Sequence, residues 1–148
     1  MENLYNQTAA QNTITRLQAL QPNSQPRWGK MNAAQMMAHC KAPFQIYFGE
    51  LKLKRSLVGF LFGSMAKRKL FTDKPWPQNL PTAKEFIVAD DRDFERERTD
   101  LIQEIERFST SGKKDNIPAH PFFGKMSADE WSRLAFKHLE HHLQQFGV

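Results

Sequence analysis

A chain of 148 residues with 40% hydrophobic residues, 12 Phe and 3 Trp has apolar bulk enough for one proper core, which excludes wholesale disorder. Its one cysteine, Cys40, excludes an intrachain disulfide. The net charge of +5 gathers at Lys52-Leu53-Lys54-Arg55 and Lys67-Arg68-Lys69, against an acidic stretch over residues 90–95, so no long basic face for nucleic acid is expected.

The N-terminus, Met1-Glu2-Asn3-Leu4-Tyr5-Asn6, lacks the basic-then-apolar layout of a signal peptide, and a reducing, cytoplasmic setting is the expectation. Helical periodicity then dominates. It predicts a first helix over residues 8–20, with Ile14, Leu17 and Leu20 as its apolar stripe, ending before Gln21-Pro22. After a loop over 23–28, Asn32-Ala33-Ala34-Gln35 forms a capping-box pattern, and a second helix runs from it toward Glu50 through Met36, His39, Cys40, Pro43, Ile46 and Tyr47. Pro43 lacks the N–H that would bond to the His39 carbonyl, so a kink or loosened turn is expected there.

Residues 57–70 read as a further helix or helical excursion. Their apolar run between the two basic clusters is too short to span a membrane. It reads as a face packed within the domain or at a dimer contact rather than on a membrane surface or nucleic acid. Gly59 and Gly63 have the small-xxx-small spacing that lets another helix approach, and a homodimer is the expected assembly. Three prolines make 71–81 an extended loop, and 85–89 is an ordered connection rather than a strand. A third long helix is expected over 91–109, with Phe94, Leu101, Ile105 and Phe108 facing inward. A polar loop follows over 112–116. Ser127-Ala128-Asp129-Glu130 is a second capping box, opening a final helix that carries acidic residues at the positive end of its dipole and stops at Gly147. Four long helices with long connections predict an all-α, antiparallel-type bundle of one domain (1–148), with an extra helical insert after the second helix.

The chemistry sits in the last helix. His138 and His142 are four apart, so their rings project to one point, in the middle of a stripe formed by Trp131, Leu134, Ala135, Leu139 and Phe146. Two imidazoles on an apolar face need partners. Each can be a core histidine bonded to a carbonyl or carboxylate, or the pair can be metal ligands. His39, on a face with Met36, Pro43 and Ile46, is the candidate third ligand from a facing helix. Three neutral imidazoles would leave a divalent ion with open positions. His141 lies toward the stripe edge, where it either hydrogen-bonds near the site or faces solvent, and the solvated reading is preferred. His120, in a loop between Ala119 and Pro121, reads as structural. Cys40 reads as a small buried hydrophobe with no activating base.

Met31-Asn32-Ala33-Ala34-Gln35-Met36-Met37-Ala38-His39-Cys40 resembles the first motif of the DinB-like family of metalloenzymes, a capped helix start with a histidine about seven residues in. His138-Leu139-Glu140-His141-His142-Leu143-Gln144-Gln145-Phe146-Gly147 resembles the family's closing motif, and His120-Pro121-Phe122-Phe123-Gly124 before a Ser-capped helix with Trp131 is similar to one branch of unknown function. The resemblance covers roughly residues 28–148. It implies an up-and-down four-helix bundle with a divalent ion (Zn, Ni, Fe or Mn) on His39, His138 and His142. Family members with known activity include thiol-dependent transferases and an isomerase that use low-molecular-weight thiols. The three histidines together with this resemblance lead to the expectation of a metal-dependent enzyme acting on a small molecule by thiol-dependent S-transfer or hydrolase-like chemistry. The alternative is a non-catalytic helical binding module, metal-free or with the metal as a structural relic.

Overall fold

Each long helix opens on a side chain that closes its first turn. Asn6 caps α1 (Gln7–Ala19) by accepting from the N–H groups of Thr8 and Ala9. Both predicted capping boxes form: Asn32 with Gln35 at the head of α2 (Ala33–Tyr47), and Ser127 with Glu130 at the head of α5 (Ala128–Phe146). Ser56 caps α3 (Leu57–Leu70), and Asp93 caps α4 (Phe94–Thr110). Such a cap stabilises a helix by about 1 kcal/mol and sets its first residue, which is why α4 begins at Phe94 and not at residue 91. Left-handed Gly49 ends α2 three residues short of Glu50, and Gly147 ends α5. α2 continues as a helix across Pro43.

The computed structural model describes residues 2–148, and among these it is all-helical, with five α-helices and no strand. The expected connection at 85–89 carries only a 3-10 turn, Lys84–Phe86. α1 and α2 each pack against both α4 and α5. The core between them holds Leu17, Met36, Met37, Leu101, Ile105, Leu139 and Leu143. Each such side chain contributes about 1.5–3 kcal/mol by leaving water. At one end Phe108 stacks on Tyr5 and meets Phe44, Tyr47 and Phe48 edge-on or tilted. The predicted stripe of α4 faces inward at Leu101, Ile105 and Phe108, but Phe94 is only partly buried and carries Arg98 over its ring.

Within the chain, α3 packs through its glycine side and not through its large apolar side chains. Its buried residues are Gly59 and Gly63, whereas Leu57, Val58, Phe60, Leu61, Phe62 and Met65 are exposed. The close approach that the two glycines permit is made by a loop and not by another helix. A Cβ on Gly63 would lie 2.2 Å from the Phe122 carbonyl oxygen, and one on Gly59 would lie 2.6 Å from it. Among the described residues no helix is long and apolar enough to cross a membrane.

Candidate metal centre

The middle of α2 and the last turns of α5 face each other and bring three imidazoles together. His39 Nε2 lies 2.9 Å from His138 Nε2, which lies 3.2 Å from His142 Nε2. The ring centroids form a near-equilateral triangle with sides of 4.8, 4.9 and 4.7 Å. Three nitrogens about 2.0–2.1 Å from one ion, at angles of about 90–110°, stand ~2.9–3.4 Å apart. The two nitrogen–nitrogen separations fall within that range.

The far side of the rings decides what the near side carries. His39 Nδ1 lies 2.8 Å from the Phe86 carbonyl oxygen, and His142 Nδ1 lies 2.7 Å from Gln145 Oε1. The Gln145 amide is oriented by its own Nε2, which donates to the Trp28 carbonyl at 2.6 Å. Both acceptors are oxygens that can only accept, so each Nδ1 carries the proton and each Nε2 of a neutral ring carries a lone pair. His138 Nε2 can hold one proton, which points at only one neighbour. At least one lone-pair contact, at 2.9 or 3.2 Å, then stays opposed. A divalent cation at the shared point removes that repulsion, and so does an extra proton, at the cost of charging a buried ring. The donor set fits a borderline divalent ion.

Burial sets the protonation state. His142 is pushed down to about 3 by burial, with the neighbouring His39 adding to the cost of a charge and the Gln145 bond opposing it. Burial also lowers His39, against the pull of the Phe86 carbonyl. His138 is held well below the ordinary histidine range by burial and by its neighbours His142 and His39. Neutral rings near pH 7 are the form that ligates metal.

The loop before α2 braces this arrangement. Arg27 N–H donates to the Gln145 carbonyl at 2.7 Å, and Gly29 adopts φ +81°. A Cβ at Gly29 would stand 2.6 Å from Gln145 Nε2, so the close approach of this loop requires glycine.

His141, expected at the solvated edge, is instead half-buried between the rings of Trp28 and Trp76, at 5.6 and 5.9 Å. The two loops carrying those tryptophans fold over the helix edge. Trp76 also lies 6.1 Å from the His138 ring, and its indole N–H donates to the carbonyl of Leu70, the last residue of α3. Residues 72–76 and the face of α5 carrying Lys137, Glu140 and His141 line an open cleft of about 400 Å³, which His141 borders and none of the three clustered imidazoles does.

His120 stays apart from the triangle. Its Nδ1 accepts from the N–H groups of Phe122 and Phe123 at 3.1 and 3.2 Å, inside a turn closed by paired backbone bonds with Gly124. This is a structural role. Cys40 is fully buried, its thiol faces Met36 Sδ at 3.7 Å, and burial raises its pKa, so it supplies no thiolate.

Four contributors to the site have no role that the sequence alone assigns: Gln145, Trp28, Trp76 and the Phe86 carbonyl. Gln145 had a signal, since it stands three residues after His142 on the same helix face. A backbone carbonyl has none.

No curated protein and no solved structure matches the chain. A family described as "Protein of unknown function (DUF1569)" matches residues 3–147, which include both histidine-bearing helices. The chain belongs to that family.

Proposed function

We propose that this chain is a divalent-metal-dependent protein of the DinB-like kind, holding one ion on His39, His138 and His142 and acting on a small electrophilic molecule. The observation that carries the reading is the convergence of three imidazoles through Nε2, two of which, His39 and His142, have their Nδ1 protons committed to oxygen acceptors. α1 and α2 each meet α4 and α5, which supports a four-helix bundle in one domain, and an up-and-down course of its helices is part of the proposal. The fold thus supplies facing helices of the kind on which bundle-core metal sites are built.

A bound ion would supply Lewis acidity toward a thiol, a water or a carbonyl oxygen. The chain's own groups do the rest. Phe86 and Gln145 fix the ring orientations, and the buried walls around His39 and His142 limit water at the site. The cleft between residues 72–76 and α5 offers a small molecule aromatic walls at Trp76 and Phe136, while Lys137 is held by the Thr72 and Lys74 carbonyls and Glu140 pairs with Arg16. His141, at that cleft, is lowered below the ordinary histidine range by burial and by the neighbouring His39, so its ring is a neutral, weakened base near pH 7. Thiol-dependent S-transfer or hydrolysis fits these groups, with a low-molecular-weight thiol or water as nucleophile.

Elemental analysis of protein purified without added metal tests the reading, with wild type compared against His138→Ala. About one divalent ion per chain is expected in wild type, and a small fraction of that in the variant. Equal, near-zero metal in both, with no thermal shift on adding Zn, Ni, Fe or Mn, would sink it.

A further inference from the structure

α3 reverses the usual arrangement of an amphipathic helix. Its glycine side lies on the protein, against the Phe122 backbone, while its large apolar side chains are 50–82% exposed. At ~100° per residue, Gly59 and Gly63 sit about 200° and 240° around the helix from Leu57, whereas Phe60, Leu57, Leu61, Met65, Val58 and Phe62 sweep from about 300° through 0° to about 140°. The outward arc is therefore the apolar one. A contiguous exposed patch of this kind marks a surface that something else covers.

Charge identifies the occupant. Residues 51–72 contain Lys52, Lys54, Arg55, Lys67, Arg68 and Lys69 and no acidic residue. Arg55 lies over the Phe60 ring and Lys67 pairs with Glu130 at 2.5 Å. Lys52, Lys54, Arg68 and Lys69 are exposed and enter no ion pair among the described residues. They flank the apolar arc at both ends. A second α3 laid face to face would oppose two such segments with no acid within either. A nucleic acid would engage the cations and leave the apolar arc in water. An anionic lipid surface answers both features at once: headgroups meet the flanking cations while the arc enters the headgroup–acyl boundary. At 14 residues α3 is too short to cross a bilayer, so it lies in the plane.

We propose that α3 is an in-plane docking helix for an anionic lipid surface, through the Leu57, Phe60, Leu61 and Met65 arc and the Lys52, Lys54, Arg68 and Lys69 flanks. The surface is independent of the histidine cluster.

Co-sedimentation of the full chain with vesicles tests this. The comparison is between pure phosphatidylcholine and vesicles with about a third phosphatidylglycerol. Partitioning at least ~10-fold stronger on the anionic vesicles is expected. Phe60→Ser combined with Leu61→Ser should lower it about tenfold or more, and Arg68→Gln combined with Lys69→Gln several-fold, with a flatter salt dependence. All four side chains are exposed, so circular dichroism should be unchanged. Three results would overturn the proposal. One is no preference for anionic vesicles. Another is full binding by the Phe60/Leu61 variant, which would mean a purely electrostatic contact such as nucleic acid makes. The third is a wild-type dimer in sedimentation velocity that the Phe60/Leu61 variant dissociates, which would mean that a second copy covers the face.

Discussion

Gln145 accepts from the Nδ1–H of His142 at 2.7 Å and donates to the Trp28 carbonyl at 2.6 Å, so one side chain ties a candidate ligand to a loop 117 residues away. Outer partners of this kind fix the tautomer and orientation of a metal-binding histidine. Gln145 is 3% exposed, so neither bond is readily replaced by bulk water.

Gln145→Leu keeps the bulk and removes both bonds. Metal affinity, measured by chelator competition, should fall about 10–100-fold. Denaturant unfolding should show a loss of about 1–3 kcal/mol from the groups left without partners. Gln145→Glu keeps an acceptor for His142 but loses the donor to Trp28. It should therefore recover much of the affinity without recovering the stability. Unchanged affinity in Gln145→Leu would remove Gln145 from the site.

His120 makes the fold sensitive to acid. Burial pushes it from an ordinary 6.5 to about 4. Between those values the unfolded chain binds a proton that the native chain does not, so stability present above about pH 6.5 is lost as pH falls toward 4. This group accounts for about 3 kcal/mol of that loss. His120→Gln does not titrate. The stability gap between wild type and His120→Gln should therefore narrow from about pH 7 to about pH 4.5. A gap that stays constant across that range, in urea unfolding, would show that His120 is not buried as a neutral base.

Gly63→Ala sets two effects of opposite sign against each other. Alanine in a helix interior gains about 1 kcal/mol over glycine. The new Cβ would stand 2.2 Å from the Phe122 carbonyl oxygen, a backbone group that cannot swing aside. Overpacking of that kind costs about 1–3 kcal/mol. The clash should win, giving a net loss of up to about 2 kcal/mol, read from the urea midpoint. A more stable Gly63→Ala would mean that α3 does not rest on the 120–124 turn.

Local rules made much of this molecule legible in advance. Asn32, Ser127 and Gly147 mark helix ends through bonds within a few residues of themselves, and the His138–His142 spacing puts two rings on one face without any tertiary information. His39 was legible as an inward-facing histidine on a second helix, and its contact with His138 is a tertiary fact. Periodicity showed that residues 57–66 are apolar, but it contains nothing about what a face meets. The outward turn of α3 depends on Phe122, about sixty residues away. The Phe86 carbonyl that holds His39 has no side-chain signature at all. The half-burial of His141 is not legible from its own helix, because two distant loops supply the tryptophans beside it.

The same limit hides the ion pair two residues beyond His39. Glu97 is 5% exposed on α4, and Lys41 Nζ on α2 reaches it at 2.6 Å while also meeting Asp100 at 3.0 Å. Arg92 approaches the other Glu97 oxygen only at 3.5 Å. Lys41→Met would leave a buried carboxylate with that one distant cation, and should cost about 3–5 kcal/mol. Adding Glu97→Met removes the stranded charge and supplies apolar volume, so the double variant should regain most of the loss. Urea unfolding of the two single variants and the double closes the cycle. A double variant as unstable as Lys41→Met would mean that packing, not the uncompensated carboxylate, causes the loss. Metal content separates stability from function in the same proteins. His39 is oriented by the Phe86 carbonyl and not by Lys41, so a folded double variant should match wild type in metal content.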